Sequence, residues 1–238
     1  MLLVACFTSE PESNLIIMKT GILGGTFNPI HLAHLRIAEL AQQTFRLDRV
    51  IFIPAADPPH KAIAGEVSFA HRLAMVERAI RGYPAFEVSD LETRRSGKSF
   101  SVDTLEILQQ QDPAGERFFI IGLDSYREIA SWKDFARLFR LCHLVVTTRP
   151  GVAIENPLEP LPVAIRGDFC YDGQTGKVLH KSGNYVFFLS ETRIDISSTQ
   201  VRQRLIEGQS IRRLVPASVA DYIEEHGLYR TTSSSRSQ

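Results

Sequence analysis

The sequence has little cysteine, no surplus of either charge and no long apolar run, and each shortage excludes a class of protein. Only Cys6, Cys142 and Cys170 occur in 238 residues, an odd and scattered set with no C-x-x-C pair. That argues against a disulfide framework and against a thiolate zinc site, and leaves reduced structural thiols. Lys plus Arg number 27 and Asp plus Glu 27, so no global basic field invites nucleic acid, and any anion site must be local. No apolar stretch approaches the length of a membrane span. The opening MLLVAC lacks a basic flank and is too short for a secretory apolar segment. With 44% hydrophobic and 23% charged residues the chain is expected to be globular and cytoplasmic, with neither nucleic acid nor a membrane as partner.

What is present is an alternation. The runs 19–25, 49–55, 85–90, 117–123, 143–150 and 185–190 are rich in β-branched and aromatic residues, as suits strands covered on both faces. Helical patterns lie at 34–45, 69–80, 101–111 and 134–141, with two more at 198–208 and 216–229. Right-handed crossovers then predict an α/β fold, an open parallel sheet flanked by helices and closed by a C-terminal helical segment. Residues 151–185, with Pro157, Pro160 and Pro162, read as an excursion with a short strand rather than a linker between domains. The expected organisation is an N-terminal extension over 1–18, one domain over 19–230 and a disordered tail over 231–238.

The stretch GILGGTFNPIHLAH, Gly21 to His34, falls in the loop after the first strand, where open α/β sheets favour phosphate. It matches neither G-x-G-x-x-G nor the P-loop pattern. Gly24 and Gly25 are expected to let the backbone turn tightly and approach a ligand, and Pro29 fixes φ before the helix. His31 and His34 then share one face of the first turn and suit phosphate oxygens. Two other readings stay open: one histidine caps the helix while the other packs, or the pair ligates a metal with a third residue.

GGTFNPIHLAH also resembles the H-x-x-H signature of nucleotidyltransferases, with Gly25, Phe27, Pro29, His31 and His34 in register and Ala33 in place of the usual glycine. ISSTQVR, Ile196 to Arg202, resembles the second signature of that family. Read from the residues alone, Ser197 and Gln200 form a capping box. Read for chemistry, helix N–H groups, the Ser198 and Thr199 hydroxyls and the Arg202 guanidinium converge on an anion. Further stretches, PAADPPHK, HRLAMVERAI, SFSVDTL, IIGLDSYREIASWKDF and TTRPG, make the chain similar to bacterial nicotinate-nucleotide adenylyltransferases from about residue 19 to 229.

That resemblance implies a Rossmann-like domain acting on ATP and nicotinate mononucleotide, with Mg²⁺ carried mainly by the ATP phosphates and no protein metal site. It implies His31, His34 and Arg202 as catalytic residues. Gly24, Gly25, Thr26, Phe27, Gly122, Asp124, Ser125, Ile196, Ser197 and Ser198 would join them around ATP. His60, Lys61, Ser99, Phe100, Ser101, Asp103 and Trp132 would hold the mononucleotide. Trp132 would stack on the pyridine ring and the 99–101 backbone would meet the nicotinate carboxylate. From the residues alone, PPHK is also a plain polar turn, Trp132 also a packing residue and Asp103 also a helix cap. TRRSGK, with Arg94 and Arg95, reads as a solvated loop that steers anions and has no catalytic role. Other phosphorylated acceptors, including nicotinamide mononucleotide, and a catalytically silent nucleotide sensor are the competing readings; oligomeric state is left open.

Overall fold

A computed structural model describes residues 17–58, 67–95, 97–148, 152, 154–190 and 195–229. The chain begins β1 (Lys19–Gly25), α1 (Leu32–Phe45), β2 (Arg49–Pro54), α2 (Phe69–Ile80), β3 (Phe86–Val88) and α3 (Ser101–Gln111). It continues β4 (Glu116–Gly122), α4 (Leu123–Arg127), α5 (Phe135–Leu141) and β5 (His143–Thr148), then α6 (Val163–Arg166), β6 (Phe169–Asp172), β7 (Lys177–His180) and β8 (Tyr185–Ser190). Helices α7 (Ser198–Ile206) and α8 (Ala217–Glu225) close it. The expected strands and helices recur within a few residues of their anticipated ends, while the calls on 1–16, on His60 and Lys61 and on 231–238 fall outside the described residues.

The sheet order is β3-β2-β1-β4-β5-β8-β7-β6. From β3 to β8 all pairs are parallel, and apolar runs alternate between two covered faces. Leu23, Phe52, Ile120 and Val145 pack under α1, α2, α7 and α8. Ile22, Ile51, Phe119 and Leu144 pack under α3, α4 and α5. Each such buried apolar side chain contributes up to roughly 1.5–3 kcal/mol of transfer free energy.

The edge carries one strand more than expected. Residues 151–185 add β6 and β7, an antiparallel hairpin that widens the sheet beyond β8. Val178 is buried there while Leu179 stays exposed, so the hairpin is covered on one face only. The chain order leaves β1 for β2 in one direction and for β4 in the other, and the carboxyl ends of these strands open a crevice at that reversal.

Candidate active site

The loop between β1 and α1 is held from behind. Arg72 of α2 donates through Nη1 to the Thr26 carbonyl at 2.7 Å, and Arg202 of α7 donates through Nη1 to the Asn28 carbonyl at 2.7 Å. Ser198 donates to the Pro29 carbonyl at 2.9 Å, and Tyr229 donates to Asn28 Oδ1 at 2.7 Å. The residue in the left-handed region is Phe27, with φ 48°; the glycine pair does not make the turn, contrary to expectation. Gly25 supplies space instead, since a Cβ there would sit 3.2 Å from the Phe27 ring.

His31 is the N-cap of α1 and His34 its third residue. The His31 backbone N–H donates to His34 Nδ1 at 3.2 Å, so part of the capping expectation holds. An accepting Nδ1 leaves the proton of neutral His34 on Nε2, which becomes the free donor. The two rings stack with centroids 3.7 Å apart, and His31 Nδ1 is buried without a hydrogen-bond partner among the described residues. Burial lowers His31 from its ordinary 6.5 to about 4. Burial first, and His31 beside it second, drive His34 well below its ordinary value, so both rings are neutral at pH 7. Among the described residues no group of three or more His, Cys, Asp or Glu side chains is placed to hold a metal.

The other wall is made by α3 and its neighbours. No side chain caps α3, and Ser101 and Val102 of its first turn face a cleft of about 180 Å³ that Gly24, Gly25 and Thr26 also line. Its first N–H groups and the helix dipole therefore present partial positive charge there. Ser99 Oγ accepts from the backbone N–H groups of Ala56 and Asp57, so that side chain is spent on the loop after β2. Trp132 is half-buried in the same lining, set edge-on to Phe119 at 6.3 Å.

Asp103 neither caps α3 nor stands free. Its carboxylate pairs with Arg95 at 3.2 Å and with Lys133 at 2.9 Å, and Lys133 also stands 5.0 Å over the Phe100 ring. Arg95 is thereby drawn out of solvent, and its Nη2 reaches Thr104 Oγ1 at 3.2 Å, unlike the solvated loop expected. Behind it lies buried Glu92, accepting from Thr104 Oγ1 at 2.9 Å and from the Ala56 N–H at 3.3 Å. Glu92, Lys133 and Arg72 were not singled out from sequence. Lys133 had a signal in following Trp132, and Arg72 another in sharing the stripe of α2 with Met75, Val76 and Ala79.

The structure thus joins the glycine loop, residues 99–101 and Trp132 in one cleft, with His31, His34, Ser198 and Arg202 on or behind the loop that forms its wall. Gly122 ends β4 and Asp124 and Ser125 open α4, all outside that lining, and the Asp124 side chain is 89% exposed. Ile196 packs on the core, while Ser197 caps α7 by accepting from the Gln200 N–H at 3.1 Å. A larger concavity, about 510 Å³, lies between α7 and α8 away from the strand ends, and its Arg212 is paired with Asp221 at 2.6 Å.

Comparison with known proteins bears on the family and the fold. The cytidylyltransferase-like family model matches residues 22–204. A probable nicotinate-nucleotide adenylyltransferase of Syntrophotalea carbinolica is 58% identical over 214 residues, covering 90% of this chain and 98% of that protein. One from Geobacter sulfurreducens is 53% identical over 212 residues, covering 89% and 98%. A solved structure of Plasmodium falciparum nicotinic acid mononucleotide adenylyltransferase complexed with NaAD shares the fold at a TM-score of 0.69 and 20% identity, covering 89% of this chain and 97% of that one.

Proposed function

The chain belongs to the nicotinate-nucleotide adenylyltransferases of the cytidylyltransferase-like family, and we infer from that premise how its cleft performs the reaction. The enzyme joins ATP and nicotinate mononucleotide to give nicotinate adenine dinucleotide and pyrophosphate. The mononucleotide phosphate attacks the α-phosphorus of ATP in line and pyrophosphate leaves, so the protein supplies position and charge rather than a nucleophile.

We assign the triphosphate to the loop 24–34. His34 offers Nε2–H as a donor, and its companion His31 gains a proton more readily once an anion lies against it. The N-terminal end of α7, with the Ser198 hydroxyl and the Arg202 guanidinium, stabilises the departing pyrophosphate. Arg202 has a second duty, since its Nη1 already braces the Asn28 carbonyl. Gly122, Asp124 and Ser125, at the end of the neighbouring strand, are assigned to the adenosine side.

The pyridine ring is assigned to Trp132 and its carboxylate to the uncapped start of α3, with Lys133 as an adjacent cation. His60 and Lys61 remain candidates for the mononucleotide phosphate from their place in the sequence. Mg²⁺ fits best on the ATP phosphates. The side chains at the loop are neutral imidazole, hydroxyl and guanidinium, and the nearby carboxylates of Glu92 and Asp103 are engaged by Thr104, Ala56, Arg95 and Lys133. Bound there, the ion would offset charge developing on the leaving group.

One observation carries this reading: a single cleft is lined both by Gly24, Gly25 and Thr26 and by Ser99, Phe100, Ser101 and Trp132. The test is pyrophosphate release from ATP and Mg²⁺ with nicotinate mononucleotide, nicotinamide mononucleotide or phosphopantetheine. Preference for the first is expected; preference for either other acceptor overturns the pyridine-side assignment, and no release with any overturns the enzyme.

A further inference from the structure

Helix α2 turns Met75, Val76, Ala79 and Ile80 into the core, and the same face one turn earlier carries Arg72. Its side chain is fully buried, at 0% exposure. Nη1 donates to the Thr26 carbonyl, whereas Nε and Nη2 are buried and meet no hydrogen-bond partner among the described residues. Burial pulls its pKa below the ordinary arginine value, but a guanidinium keeps its charge at neutral pH. The carboxylate that favours that charge from a distance, Glu92, is already bonded to Thr104 and Ala56. The Phe69 ring, 5.4 Å from the guanidinium carbon, gives the charge a cation–π contact but no anion. A buried cation with no carboxylate bonded to it is unfavourable, and a core position needing only volume is better filled by leucine or methionine.

The geometry of the peptide says what the bond to Thr26 achieves. In a planar trans unit the carbonyl of Thr26 and the N–H of Phe27 point in opposite directions. Drawing that carbonyl toward Arg72, into the core, turns the Phe27 N–H to the opposite side of the loop. We propose that Arg72 is a positioning residue for adenylyl transfer: it sets the peptide planes of the phosphate loop from behind, and its unpaired charge is balanced when the triphosphate of ATP enters. This rests on assigning loop 24–34 to ATP, and it adds a residue outside both sequence signatures.

The test compares the full-length enzyme with Arg72→Met, which keeps the bulk, and Arg72→Lys, which keeps the charge. Steady-state kinetics read kcat and both KM values. Thermal midpoints are read with a non-hydrolysable ATP analogue and, separately, with nicotinate mononucleotide. Arg72→Met is expected to lose about 100-fold in kcat and to raise the ATP KM roughly tenfold, with the mononucleotide KM within about twofold. At a fixed concentration of the ATP analogue its midpoint should rise less than that of the wild type, while the response to the mononucleotide is unchanged, and Arg72→Lys should recover part of both losses. A purely structural role would lower the unliganded midpoint and leave both ligand responses intact.

Wild-type ATP parameters in a folded Arg72→Met, or equal losses toward both substrates, overturn the proposal. Should Arg72→Met not fold, Arg72→Lys decides alone: a raised ATP KM with a reduced analogue response supports it, and wild-type values overturn it. Absence of turnover in the wild type would instead strike the functional assignment, so the two failures are distinguishable.

Discussion

The two walls of the cleft are built differently. The phosphate loop is fixed through its backbone, with the carbonyls of Thr26, Asn28 and Pro29 each taking a hydrogen bond from α2 or α7. The pyridine wall is fixed through side chains, a chain of charge running Lys133, Asp103, Arg95, Thr104 and Glu92. Backbone anchoring from buried Arg72 and half-buried Ser198 and Arg202 leaves few ways for the loop to move, which suits a site where developing charge must be met without reorganisation. Lys133 and Asp103 are partly solvated, at 43% and 29% side-chain exposure, so that wall can adjust to a substrate at small cost. Under the proposed assignment the difference amounts to a division of labour, with chemistry at the rigid wall and recognition at the softer one.

The sharpest way to break that division is His34→Ala. Loss of the Nε2–H donor should lower kcat by about 10²–10³, which corresponds to roughly 2.7–4 kcal/mol of transition-state stabilisation. The mononucleotide KM should hardly change, because the affected wall is the other one. The helix start should survive, since His31 O still accepts from the backbone N–H of residue 34 at 3.0 Å. Kinetics beside a far-UV spectrum checks this, and near-normal kcat would remove His34 from the chemistry.

Acid offers a second cut, of similar size but acting on stability. His31 is buried neutral, with its pKa brought from 6.5 to about 4 by burial. The unfolded chain therefore binds a proton that the folded chain refuses, so stability is complete above about pH 6.5 and falls as pH drops toward 4. The full loss from this residue is on the order of 3 kcal/mol. Asparagine in its place caps helices well and does not titrate. Urea midpoints between pH 7 and 4.5 should fall less steeply in His31→Asn than in the wild type. Equal slopes would mean that His31 is not the proton-refusing group. Polyphosphate should oppose the loss by favouring the imidazolium, whereas nicotinate mononucleotide alone should not.

Which wall a reader of the sequence sees follows from the same contrast. The parallel strands were legible because both faces are covered, so VIFIP and FFII read as continuous apolar runs. The hairpin at Phe169–His180 was not, because four-residue strands covered on one face carry too little pattern. His31, His34 and Arg202 were legible because their spacing is local. Arg72 acts on Thr26 from 46 residues away, and Glu92 on Thr104 from a short 3₁₀ turn, so their partners appear only once the chain has folded. The glycine pair was legible as a special loop and misread as its turning point, since Phe27 takes the left-handed backbone while Gly25 makes room for its ring. The ion pairs of Asp103 were not legible because both cations that claim it, Arg95 and Lys133, arrive from other segments.

The smallest effect sharpens the softer wall. Trp132 packs one edge against Phe119 and is only half-buried, so removing it should leave the core largely intact. Stacking of a base or comparable ring on an aromatic side chain is worth about 1–3 kcal/mol. Trp132→Ala should therefore raise the mononucleotide KM by roughly 5- to 150-fold, while kcat at saturating mononucleotide and the ATP KM stay within a few fold. Trp132→Phe should recover most of the affinity, as a second ring in the same place still stacks. A loss confined to ATP would reverse the assignment of the two walls, and a loss in kcat equal to that in affinity would mean the softer wall also positions the attacking phosphate. The two substitutions His34→Ala and Trp132→Ala should then combine additively in free energy if the walls work independently, and any large departure would measure how strongly the loop and the pyridine pocket communicate across Gly24 to Thr26.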